Sequence, residues 1–479
     1  MPKCRGISTN RKQRRGEVRF VTGEPHALFA EGDTPFDNTL AFMDQASYLW
    51  VRASGHVHGI QCTWVYRRDV DIDGLRRVHD NLGHGLLGRR VEPSPLPFGR
   101  HRWVASHELP GIDVVPARPR AALNDWVDER AQIPVDPEFG PTWHLGVLPI
   151  ENYGTAVSLV ASHTVVDGLG TCLAIAEAVK GARHDYGYAP PRSRPRKRAL
   201  NEDARQAARG VPDMVRAVGA MVKVGIRDLP SVGAPSARPK GVGVADEIDR
   251  PVDVPTASVY IDLAEWDSRA EQLNGTSNAL VAGFAAKLAS RFGRLRATDG
   301  LVTLSYPVND RTENDLRANA IKGIDFAVDP SQATTDLREI RNTIKQALVS
   351  GLGKFKEQER VFPLTPLIPK VVVRKLPLGA LNAADLPVGC ANLGDIDPAV
   401  ARVDRTEADY VLLRMVEQNL TTKSPELAGG ELNISSGRIC GKLFLGFRAY
   451  QPGRENTKEA LRELVAATLD DFDLTGFIP

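Results

Sequence analysis

An α/β protein of two lobes is the fold class this sequence predicts, on three observations. The chain has 479 residues, too many for one small core and enough for two. Apolar, β-branched runs alternate with apolar stripes at helical spacing in both halves, in roughly the same order. Between the halves, residues 186–210 are rich in Pro and Arg and carry no core-forming period. The expected division is a disordered basic tail over 1–20, a first lobe over 21–185, a linker with an amphipathic helix over 186–250, and a second lobe over 251–479.

The elements follow in order. AFMDQASYLW has helical spacing, and GIQCTWVYR (59–67) reads as a strand. After Asp71, a plausible N-cap, Leu75, Val78, Leu82 and Leu86 recur three and four apart, which predicts a helix. A Pro-rich loop, EPSPLPFGRHRWV, ends it. WHLGVLPI (143–150) and TAVSLVAS (155–162) read as strands joined by the turn ENYG, and the second is apolar enough for burial on both faces. Residues 168–183 read as a helix with Leu169, Leu173, Ala176 and Val179 on one side. In 211–230, Met214, Val215, Val218, Met221, Val222 and Ile226 form an apolar stripe with Arg and Lys opposite. Two readings stay open there: a helix packed on the lobes, or a surface helix that meets a lipid. In the second half, ASVYIDLAEW alternates and then turns helical. A helix over 277–294 is N-capped by Ser277 or Asn278, a strand is expected in 300–311, and a helix over 334–351 ends at Gly351. Residues 386–397 read as a buried strand, 431–450 as a hairpin, and 456–472 as the last helix.

Bulk chemistry excludes several classes. A net charge of +2 gives no footprint for nucleic acid. Five scattered cysteines, never in a CxxC pair, argue against a disulfide framework and a zinc site. No apolar h-region follows the basic N-terminus, and no run reaches the roughly 18 apolar residues of a membrane span. A cytoplasmic protein is expected, with peripheral membrane contact left open. There is no GxSxG elbow or HExxH, and GRICGKL lacks the spacing of a P-loop.

SHTVVDG (162–168) carries the chemistry. An imidazole with a pKa near 6.5 is suited to take a proton from a hydroxyl, amine or thiol near neutral pH. His163 stands where a buried strand stops, so a rigid scaffold aims it while the loop leaves it accessible. Asp167 lies in the following turn and can brace the loop, and Gly168 lets the backbone turn into the helix. The competing reading of these residues is an ordinary histidine at a strand end.

An HxxxDG motif between a buried strand and an apolar helix, late in the first lobe, resembles the acyltransferase superfamily built on the chloramphenicol acetyltransferase fold. That superfamily includes nonribosomal condensation domains, plant HxxxD acyltransferases, wax ester synthase/diacylglycerol acyltransferases and mycobacterial polyketide-associated acyltransferases. HGLLGRRV (84–91) looks like the first-lobe helix end, HxxLRxRF, of condensation domains. SYPVNDR (305–311) with Asn319 looks like the PVxxR…N segment of the wax synthase branch, and CANLGDID (390–397) like its SNxG segment. Three features depart. Ser162 replaces the first histidine of the condensation motif, Gly88 stands where that pattern has an arginine, and the plant DFGWG segment is missing. The wax synthase and mycobacterial types fit best.

The resemblance implies two chloramphenicol acetyltransferase-like lobes with a tunnel between them. It implies His163 as general base on the acceptor, with no covalent acyl-enzyme. Asp167 is then structural and pairs with Arg89 or Arg90, Arg90 preferred, while Gly168 supports the turn. Asn392 either lines the tunnel as an oxyanion donor or fixes its own turn. No bound cofactor or metal is implied; acyl-coenzyme A or a phosphopantetheinyl carrier is the co-substrate, and a hydroxyl, lipid-like in the wax synthase type, the acceptor. Two other functions compete: a stand-alone condensation enzyme forming an amide from carrier-bound acyl groups, and a non-catalytic protein of the same fold that binds acyl chains or a carrier.

Overall fold

The computed structural model describes residues 37–106, 109–228, 249–369 and 386–477, without the side chains of 222–228, 352, 354 and 358. The tail over 1–20 and the 229–248 part of the linker lie outside the described residues, as do the side chains of Val222 and Ile226.

The chain runs through α1 (Phe42–Ser54), β1 (Val57–Tyr66), α2 (Ile72–Leu82), β2 (Arg89–Glu92), β3 (Arg102–Ala105), β4 (Ile112–Val114) and α3 (Leu123–Gln132). Then come the hairpin β5 (Trp143–Ile150) and β6 (Gly154–Ser162), α4 (Gly168–Val179) and the long α5 (Arg196–Asp228). The second half holds β7 (Thr256–Asp262), α6 (Leu263–Gln272), α7 (Ser277–Arg291), β8 (Val302–Asn309), β9 (Ile321–Val328), α8 (Arg338–Glu359) and β10 (Val388–Asp395). It ends with β11 (Tyr410–Gln418), α9 (Lys423–Leu427), β12 (Glu431–Ile439), β13 (Lys442–Tyr450), α10 (Lys458–Asp471) and β14 (Gly476–Phe477).

Two mixed sheets organise these elements, each with its own apolar core. The first has the order β11-β1-β6-β5-β4, the second β14-β7-β13-β12-β10-β8-β9. Every residue of β6 is buried, as its unbroken apolar run predicts. β11 comes late in the chain yet pairs antiparallel with β1 over nine residues, Val57↔Gln418 to Val65↔Tyr410. A polar chain crosses beneath it. Arg414 donates to Gln61 and pairs with Asp128 of α3, which also holds Lys458 of α10.

Local chemistry corrects several expectations. The α2 stripe stops at Leu82, and Leu86 is buried in the turn that follows. α7 is capped by Thr276, whose hydroxyl accepts from Ala279 N–H, not by Ser277 or Asn278. α8 runs through Gly351, where a Cβ would meet Ile324 at 2.6 Å; the glycine permits close packing on β9 and ends nothing. α5 starts at Arg196, inside the 186–210 stretch that carries no core-forming period, and its Asp203 is held by Arg102 and Arg194. On α4 the buried side carries Cys172 and Ile175, while Leu173 is 39% exposed. Among the described residues no helix is long and apolar enough to cross a membrane.

One buried histidine makes stability depend on pH. His144 of β5 accepts from Arg130 at Nδ1 (2.7 Å), with Ile133 carbonyl 3.3 Å from Nε2. Burial, and then the Arg130 charge, push its pKa down to about 4. The unfolded chain takes up this proton near pH 6.5 and the folded chain does not, so stability is full above 6.5 and falls as pH drops toward 4. The slope is about 1.4 kcal/mol per pH unit. His144→Gln, which can still accept from Arg130 and donate to Ile133, is expected to flatten this part of the acid limb in urea unfolding between pH 7 and 5. An unchanged limb would place the titration elsewhere.

Candidate active site

The motif loop is held from both lobes. His163 follows β6 and donates its N–H to the His58 carbonyl on β1 (2.9 Å). Asp167 caps α4, accepting from Gly170 N–H at 2.6 Å. Its other oxygen accepts from Arg311 (2.8 Å) and from Ala320 N–H (2.9 Å), both of the second half, and its own N–H donates to Ala318. With its oxygens committed to three donors on α4 and on the β8–β9 connection, this carboxylate is a clamp and not an acid or base.

The partner of Asp167 is therefore Arg311, and the expected pairing with Arg90 is corrected. β2 alternates, burying Arg89 and Val91 and turning Arg90 away. Arg89 serves the same loop differently: it lies over Trp103 and donates to the Val165 and Leu316 carbonyls. Gly168 has an ordinary φ, so the turn does not require it; a Cβ there would press on Leu393 at 3.3 Å. The glycine that close approach demands is Gly170, where a Cβ would lie 3.0 Å from Asp167 and 3.1 Å from Arg311. Asn392 fixes its own turn, accepting from Gly394 N–H (2.9 Å) and donating to Asn278 (2.6 Å).

Sequence reasoning missed the group that supports the histidine. Asp44 of α1 is fully buried and accepts from Ala318 N–H (2.9 Å), Asn319 N–H (2.8 Å) and the Asn319 amide (3.3 Å). That orientation leaves the Asn319 carbonyl oxygen for His163. Burial lowers the His163 pKa below the ordinary histidine value; a hydrogen bond to its own backbone, the Asp167 charge and the Asn319 side chain oppose the shift. The imidazole is thus neutral at neutral pH, yet the residue keeps partial exposure. Asn319→Ala is expected to lower the His163 pKa further, because a group favouring the imidazolium is removed. A histidine-selective NMR titration reads this directly, and an unmoved pKa would show that the two side chains do not interact.

A second cluster lies beside the first. His58 Nε2 is 3.3 Å from Glu417 of β11, and Glu417 and Glu431 both pair with Arg448 (3.1 and 2.6 Å). Arg448 holds the Glu417 carboxyl below its usual range against the cost of burial; burial raises Glu431. The thiols of Cys172 and Cys390 are buried and pushed up to about 12, so they are protonated and inert. Among the described residues, no three His, Cys, Asp or Glu side chains converge as a metal would need.

No protein-family model and no curated protein matches the sequence. Solved structures do. The first condensation domain of the calcium-dependent antibiotic synthetase, in complex with a substrate analogue, superposes with a TM-score of 0.53 at 16% identity, covering 91% of this chain and 99% of that one. The protein has the condensation-domain fold. The condensation-domain fold also covers an epimerization domain, from the third module of tyrocidine synthetase B, at TM-score 0.50 and 13% identity over 91% and 95% of the two chains. Polyketide synthase associated protein 5 from Mycobacterium tuberculosis gives a TM-score of 0.49 at 17% identity, over 90% and 97%. Within the condensation-domain fold, the HxxxDG loop of this chain sits between the two sheets' lobes, clamped by Asp167 and Arg311.

Proposed function

We propose that the protein is an acyltransferase that moves an acyl group from a thioester to a hydroxyl acceptor, with His163 as general base. The observation that carries the reading is His163 at its strand end: partly accessible, beside Asn319, and with its pKa lowered by burial so that the ring is neutral at neutral pH. Such an imidazole takes the acceptor proton as the acceptor oxygen attacks the thioester carbonyl, then returns it to the departing sulfur. Asp167 and Arg311 hold the loop and touch no substrate. The donor is acyl-coenzyme A or a phosphopantetheinyl carrier, reached through a tunnel between the lobes. Exposed Val211, Val215, Val218 and Met221 on α5 support a lipid-like acceptor and contact with a lipid surface.

The condensation-domain fold supports a second reading, amide formation from carrier-bound acyl groups. Thiol release from acyl-coenzyme A donors of increasing chain length, with water, alcohols or amines as acceptors, separates the two. Release driven by alcohols supports the ester reading; release driven only by amines, or only from carrier-bound donors, supports condensation. Tight acyl-ligand binding with no release from any donor would overturn both in favour of a binding protein.

A further inference from the structure

The register of the first sheet sets three polar residues in one row. β1 and β6 pair with Gly59 opposite Ser162, so one residue further His58 stands opposite His163, joined by the 2.9 Å hydrogen bond between their backbones. β1 and β11 pair with His58 opposite Glu417. Directly opposed residues of an antiparallel pair share a face, with Cβ atoms roughly 5 Å apart. Glu417, His58 and His163 therefore run across three strands on one side of the sheet. The His58 side chain keeps 31% exposure, against 12% for Glu417. Glu417 engages Nε2, and Nδ1 has no hydrogen-bond partner among the described residues. The charged and titratable groups facing His58 are His163, His56, Glu417 and Glu431, with Arg448 beyond the two carboxylates.

This row sets a second imidazole beside the base, where it can take over the return of a proton to the sulfur. We propose that His58, braced by Glu417, is a second acid–base residue that protonates the leaving sulfur while His163 deprotonates the acceptor. The inference rests on the acyl-transfer reading above. In the step, the acceptor O–H proton goes to His163 as its oxygen bonds to the carbonyl carbon. The C–S bond breaks, and doubly protonated His58 gives its Nδ1 proton to the sulfur. His163 then passes its proton back to His58 through water, so the net change is thioester plus alcohol to ester plus thiol.

The test varies the leaving group. A thiol of low pKa leaves without help, so a residue that protonates the sulfur matters only for an alkyl thioester. Acyl-coenzyme A and the 4-nitrothiophenyl ester of the same acyl group are turned over by wild type, His58→Ala and His58→Gln; the glutamine keeps a donor toward Glu417 but has no transferable proton. Both variants are expected to lose about 100-fold in kcat with acyl-coenzyme A and under about threefold with the aryl thioester. Circular dichroism checks that each is folded. Equal losses with both donors, or no loss with either, would overturn the second-acid role and leave the proton on His163 throughout. Failure of wild type to turn over either donor, or a carrier-bound acyl group, with any alcohol would overturn the acyl-transfer reading and this inference together.

Discussion

His163→Ala is expected to lower thiol release by about 10²- to 10⁴-fold, the usual contribution of a positioned general base. The fold should survive. The His163 N–H to His58 backbone bond fixes the strand end here, and alanine keeps it. The residue keeps partial exposure, so removing the ring is a milder change than emptying a core position. Steady-state rates with acyl-coenzyme A, beside circular dichroism of both proteins, give the comparison. The wild-type pH profile carries a second signature. Because burial lowers the His163 pKa, its base form persists at pH 6.5, and kcat/KM should fall only below the ordinary histidine value. A folded alanine variant with the wild-type rate would show that another group removes the acceptor proton.

Arg311→Ala is expected to be the most damaging change to the structure of the site. Arg311 and Asp167 are almost wholly buried, with side chains 8% and 3% exposed. Arg311 also donates to the carbonyls of Asp315, Arg317 and Ala318. Removing one partner of a buried ion pair leaves the other charge uncompensated, at a cost of about 3–5 kcal/mol. Arg311→Lys should recover little, since an ammonium cannot span the carboxylate and three carbonyls as the guanidinium fork does. Apparent midpoints from urea unfolding measure the loss, and activity should fall with it because His163 loses its anchored loop. Near-wild-type stability would mean that the Ala320 and Gly170 N–H groups alone suffice to hold Asp167.

The parts of this architecture that announce themselves are those with local cause. β6 is an unbroken apolar run, Asp71 caps α2 as its position before a helical stripe requires, and SHTVVDG stands at a strand end. The clamp was only half visible. SYPVNDR and Asn319 stood out in the sequence, but nothing local tells that Arg311, 144 residues from Asp167, outcompetes nearby Arg90. That choice depends on β2 alternation and on the route of the second half over the first. Asp44 gave no signal, because an acid in the first turn of a helix usually faces water. β11 does give one: YVLLRMVE, apolar and β-rich between Asp409 and Asn419, is a strand signature.

β11 also bears on how this protein is made. Nine residues of the late chain complete the sheet begun by β1, so the early half emerges from synthesis with one side of β1 unpaired. An open run of N–H and C=O groups on an apolar strand is a template for pairing with another copy. Ending the chain before Tyr410 should thus yield insoluble material, and supplying the missing piece in trans should restore solubility by strand addition.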